Sequence, residues 1–145
     1  MARAERAHGG GAAAGEVPPG WATQSDEVLL NQGHASAATG RALATRLVPT
    51  LPGLAGRLAS PGSRVLDVGT GVAALALALA RELPHTHVTA IDVLDRALRL
   101  ARTELAQAGP VAGRVELRRQ DVADLREPER YNLIWLPAPS FRRRR

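Results

Sequence analysis

A chain of 145 residues suffices for one domain and is short for two, and its 45% hydrophobic and 23% charged residues match a globular protein rather than a disordered or membrane-spanning one. The longest apolar run, Val72 to Ala80, is far shorter than a membrane span, and the absence of cysteine excludes disulfides, a thiolate nucleophile and a zinc-thiolate cluster. The net charge of +5 sits almost wholly in Arg142 to Arg145, since five arginines face four acids over residues 1–60 and ten face ten over 61–141; no basic stripe interleaved with aromatics points to nucleic acid.

Residues 1–20 (GGGAAAGEVPPG within them) lack apolar periodicity and are expected to form a flexible leader. The opening MARAERAHGG has an acid where a signal peptide needs an apolar core, so a cytoplasmic location without a membrane partner is expected. Residues 21–60 read as a helical cap. Ser25 with Asp26 and Glu27 is a helix start, because a side-chain acceptor and early acids complement the free amides of a first turn. That helix is expected to end near Gln32, before Gly33 and His34, and a second to run from Ser36 to Leu47, stopping ahead of Pro49. A short turn of helix over Leu51 to Leu58 leads to Ser60-Pro61-Gly62, a turn signal.

From residue 61 the texture changes. Arg64 to Val68 is a β-branched, apolar run that passes directly into Gly69-Thr70-Gly71, and an Ala/Leu helix follows to Leu83, ahead of Pro84. His87 to Ile91 reads as a second strand, Asp95 to Ala108 as an amphipathic helix, Arg114 to Arg118 as a third strand and Tyr131 to Leu136 as a fourth, apolar on both faces, with a loop or short helix over Ala123 to Glu129. Strands alternating with helices predict an α/β fold around a parallel, doubly wound sheet spanning 61–141, with residues 142–145 an arginine tail.

In such a sheet ligands bind beyond the carboxyl ends of the strands, where strand order reverses. The first strand ends in Asp67-Val68-Gly69-Thr70-Gly71, the second in Asp92 and the third in Gln120-Asp121. A Gly-x-Gly turn lets backbone approach a ligand closely, and Gly69-x-Gly71-x-x-Ala74 also satisfies the dinucleotide fingerprint. The acid separates the two readings: Asp67 repels a pyrophosphate and attracts an ammonium or sulfonium. Asp92 suits a ribose diol and Asp121 an exocyclic amine, so a ligand with a cationic end, a ribose and an adenine fits all three.

The segments VLDVGTGVAALALALA, VTAIDVLDRALRLAR, VELRRQDVADL and YNLIWLPAP resemble, in order, the successive motifs of class I S-adenosylmethionine-dependent methyltransferases, over residues 63 to 141. The resemblance implies a Rossmann-like sheet preceded by helices and S-adenosylmethionine as cofactor. It implies that Asp67, Gly69 and Gly71 line the methionine end, that Asp92 holds the ribose, and that Asp121 reaches the adenine amine with Val122 on the ring. The Leu136 backbone would then face the methionine amino group, and helices from Trp21 to Leu58 would cap cofactor and substrate through Trp21, Leu29 and Leu30. Ala73 stands where the family often has a third glycine.

The expected activity is methyl transfer to a small molecule, with no nucleic acid partner, no metal site and no catalytic base assigned. The family's sheet has seven strands, yet only nine residues follow Leu136, so a truncated domain with a free fourth-strand edge is expected, prone to self-association through that edge. Two other functions compete: a catalytically silent remnant that binds cofactor or pairs with another chain, and an NAD-dependent oxidoreductase. Blander roles also exist for the residues themselves. Asp67 can cap the glycine turn, and Asp121 can be a loop acid beside Asp124. Asp92 has no evident structural task, because Asp95 is the better helix cap. His34, His85 and His87 read as surface residues, and Tyr131 and Trp135 as core.

Overall fold

The computed structural model describes residues 19–137; the expected leader therefore lies almost entirely outside the described residues, and the arginine tail wholly so. A four-residue helix α1, Pro19–Ala22, precedes α2, Asp26–Ala42, which passes through a π turn at Leu43–Leu47 and a 3-10 turn at Val48–Thr50. Ser25 caps α2 as the sequence suggests, its hydroxyl accepting from the Val28 amide at 3.3 Å, with Asp26 and Glu27 in the first turn. The break expected at Gly33 does not occur. Gly33 keeps helical backbone and is buried inside α2, because its missing side chain is used for packing and not for a left-handed helix end.

Helix α3, Pro52–Ala59, leads into β1, Ser63–Val68, followed by α4, Ala74–Glu82, β2, Thr86–Asp92, and α5, Asp95–Gln107. A 3-10 segment, Gly109–Arg114, precedes β3, Val115–Arg119, and two 3-10 turns, Val122–Asp124 and Pro128–Arg130, connect it to β4, Leu133–Trp135. The third strand thus starts one residue later than its sequence suggests. Arg114 is drawn out of it, donating to the carbonyls of Ala80, Leu83 and Thr86 at 2.6, 3.1 and 2.8 Å and so closing the carboxyl end of α4.

The four strands are parallel and ordered β3-β2-β1-β4, an α/β sheet of Rossmann type. The chain steps outward from β1 to β2 to β3 and then returns across β1 to lay down β4. Strand order therefore reverses between β1 and β4, which is where such a sheet opens a crevice at its carboxyl edge. Register assigns the faces. Val65, Val88, Val115 and Leu133 are aligned neighbours on one face, and they join a core fed by Leu43, Ala44 and Val48 after α2, Leu58 of α3, α4, and Ala101 of α5. The opposite face carries Leu66, Val68 and Ile91, covered by Leu125 and Tyr131 from the return crossover. Two crossovers on one face and the third on the other are what strand order β3-β2-β1-β4 with uniform handedness requires.

β4 is shorter and less buried than the six-residue apolar strand expected from sequence. Ile134, aligned with Leu66 on the crossover face, is 39% exposed, while Leu133 and Trp135 pack on the main core. Among the described residues, no helix is long and apolar enough to cross a membrane.

Candidate cofactor site

The carboxyl ends of β1 and β2 converge on a turn that only unusual backbone can make. Gly69 and Gly71 have φ of 70° and 58°, in the left-handed region that glycine occupies without steric cost. Ala73 shares that region at φ 66° although it carries a methyl group and is fully buried, so the position where the related motif often has glycine does demand glycine-like backbone. The turn is pinned on both sides: the Gly69 and Thr70 amides donate to the Ile91 carbonyl at 2.9 and 3.0 Å, and the Ala73 amide donates to the Thr70 carbonyl.

Asp67 aligns with Ala90 and Trp135, which puts it on the core face of the sheet, directly under this turn. Its side chain is 2% exposed and accepts from the Thr70 hydroxyl at 2.7 Å. Burial pushes its carboxyl up to about 7, the Thr70 hydrogen bond pulls the other way, and the negative charge of Asp92 adds to the rise. Asp92 accepts from the Gly71 amide at 2.8 Å through one oxygen and from the Leu94 amide at 2.9 Å through the other. Asp92 therefore has a structural duty that the sequence reading does not assign. Asp95 is the first helical residue of α5 and leaves the preceding turn uncapped, so Asp92 supplies the acceptor. A carboxylate has about four lone-pair positions, and among the described residues these two amides occupy two of those on Asp92.

These groups floor a cavity of about 480 Å³, within the usual range for small-molecule sites. Asp67, Gly69, Thr70, Gly71 and Asp92 line it together with Trp21, Leu29, Gln32, Ser36 and Trp135. One wall is thus the inner face of α2, where Leu29, Gln32, Gly33, Ser36 and Thr39 recur at helical spacing. The polar residues of that wall carry no charge; of the three apolar residues that the resemblance implies as a cap, Trp21 and Leu29 line the cavity and Leu30 does not. Arg96 at the head of α5 ties the rim together, pairing with Asp26 at 2.7 Å and donating to the Gln24 carbonyl.

Of the seven residues the sequence nominates, Asp67, Gly69, Gly71 and Asp92 meet in this cavity, and Asp121, Val122 and Leu136 stand outside its lining. Asp121 accepts from the Ala123 amide at 2.9 Å, capping the 3-10 turn, and Val122 and Leu136 are exposed. Strand pairing still holds Asp121 near the others, since the adjacent Gln120 amide donates to the Asp92 carbonyl at 3.0 Å.

A glycine turn between two acids at the switch point of a parallel sheet defines a Rossmann-like domain with a cavity at the carboxyl edge of its strands. Residues 65–142, more than half of the chain, match the family described as the methyltransferase domain, and the chain belongs to that family. Among curated relatives, the release factor glutamine methyltransferase of Rhodopirellula baltica is 37% identical over 84 residues, 57% of this chain and 28% of that protein. The tRNA1(Val) (adenine(37)-N6)-methyltransferase of Vibrio cholerae is 34% identical over 77 residues, 53% of this chain and 32% of that protein. The apo structure of the S-adenosylmethionine-dependent methyltransferase SibL is 34% identical, covering 66% of this chain and 25% of that one, with a TM-score of 0.47. The matched part of the chain covers less than a third of the length of these curated relatives.

Proposed function

We propose that this domain binds S-adenosylmethionine in the cavity beneath α2 and donates its methyl group to a small-molecule acceptor. The observation that carries the reading is Asp67, a carboxyl buried under the glycine turn and pushed up to about 7. A ligand that brings a positive charge to the cavity restores the ionised form of Asp67 at neutral pH, whereas a pyrophosphate meets two acids. The glycine turn fits as well. Among the described residues, apart from its two chain neighbours, no atom lies within 4 Å of the place where a side chain of Gly71 would start, so backbone is open to a ligand there.

In this reading Asp67, Gly69 and Gly71 hold the methionine end and the other lone-pair positions of Asp92 take the ribose hydroxyls. Asp121 and Val122, one strand further out, take the adenine, and the Leu136 backbone faces the amino group. When bound, the cofactor supplies an electrophilic methyl group on a sulfonium sulfur. The chain supplies position and dryness: Trp21, Leu29 and Trp135 exclude water, and Gln32 and Ser36 offer neutral hydrogen-bonding groups to an acceptor. The small-molecule acceptor rests on the size of that cavity; the names of the relatives point instead to a protein glutamine or a tRNA adenine.

Titration calorimetry of the full chain with S-adenosylhomocysteine and with NAD tests the cofactor. Heat of binding is expected for the adenosyl ligand alone; binding of NAD without it refutes the reading.

A further inference from the structure

We propose that Gly33 is a positioning residue for the cofactor cavity: by lacking a side chain it lets α2 rest directly on Val72 of the glycine turn, and that contact sets the width of the site. The proposal rests on the cofactor reading above. Glycine is the least favourable residue inside a helix after proline, and Gly33 sits well within α2, so its presence needs a reason. A Cβ at Gly33 would stand 2.4 Å from Val72 Cγ2 and 3.4 Å from Ala74 Cβ. Ordinary contact between carbons is about 3.5–4.0 Å, so an alanine would force helix and turn apart by roughly 1 Å.

The turn has little freedom to yield. Val72 is 3% exposed, is stiff at its β-branch, and lies between two residues in left-handed backbone, Gly71 and Ala73. Gly71 is held to Asp92, and Gly69 and Thr70 to Ile91. Helix α2 must therefore give, and it is the wall that carries Leu29, Gln32 and Ser36 over the cavity. Gly40, two turns further along the same face of α2, offers an internal comparison. A Cβ there would meet the Leu75 carbonyl oxygen at 2.9 Å, Ala78 Cβ at 3.0 Å and Leu75 Cγ at 3.3 Å, all on α4 and none on the glycine turn; Gly40 itself does not line the cavity, although Leu75 does.

The experiment measures the affinity for S-adenosylhomocysteine by calorimetry and the melting temperature for the parent, Gly33→Ala, Val72→Ala, Gly40→Ala and the double variant Gly33→Ala/Val72→Ala. Gly33→Ala is expected to weaken binding at least tenfold. Removing the Val72 methyls should restore much of that loss, so that the double variant binds more tightly than Gly33→Ala alone. Gly40→Ala should lower the melting temperature with less than a threefold change in affinity. Gly33→Ala binding within twofold of the parent overturns the proposal. So does a double variant no tighter than Gly33→Ala, or a Gly40→Ala loss of affinity as large as that of Gly33→Ala. If Gly33→Ala does not fold, the double variant must fold and bind, and its failure to do so counts against the proposal equally. A parent that takes up no S-adenosylhomocysteine refutes the cofactor reading, and the proposal with it.

Discussion

Replacing Asp67 with asparagine isolates the cost of burying its charge. The two side chains have the same shape, and an asparagine carbonyl still accepts from the Thr70 hydroxyl, so the substitution removes charge and little else. In the folded chain the Asp67 carboxyl is pushed up to about 7 from the 3.8 of an unperturbed group. Between these values the folded state keeps a proton that the unfolded state has released, so the stability contributed by this site is greatest in acid and falls as pH rises. The whole difference amounts to roughly 4 kcal/mol once the pH exceeds 7. Urea denaturation of the parent and Asp67→Asn at pH 5, 6, 7 and 8 reads it directly, because subtracting the two curves cancels the other titrating groups. The parent should lose roughly 3 kcal/mol relative to the variant between pH 5 and pH 8, and the variant should be the more stable protein at pH 8. A difference that stays constant within about 0.5 kcal/mol across that range refutes the claim that burial holds this carboxyl protonated. The same variant should bind S-adenosylhomocysteine less tightly than the parent at pH 8, the trade of stability for function expected of a site residue.

Asp92→Ala should weaken S-adenosylhomocysteine binding by about 1.5–3 kcal/mol and also lower the melting temperature, since the Gly71 and Leu94 amides lose their acceptor; unchanged affinity in calorimetry removes Asp92 from the site. Arg114→Ala leaves the Ala80, Leu83 and Thr86 carbonyls without their shared donor and should cost about 1.5–3 kcal/mol in urea denaturation, with affinity for the same ligand unchanged; a loss below about 0.5 kcal/mol refutes its capping role.

Local sequence was sufficient for the alternation of strands and helices, for the glycine turn and for the nomination of Asp67 and Asp92, because each follows from spacing within a few residues: period-two apolar runs, left-handed glycine, an acid at a strand end. It failed at Gly33. A glycine before a histidine reads as a helix end, and only the contact with Val72, thirty-nine positions away in the chain, shows that the missing Cβ serves packing between α2 and the turn. It failed again at Asp92, whose task of holding the Gly71 amide depends on β2 lying beside β1. Strand order is likewise tertiary. No local pattern says that β4 returns across β1, yet that return places Trp135 beside Asp67 and opens the crevice between them. The identity of the acids was thus written in the sequence. The burial that raises the Asp67 carboxyl, and the wall of α2 that closes the cavity above it, arise only when segments distant in the chain pack together, because desolvation is a property of everything around a charge and not of its neighbours in sequence.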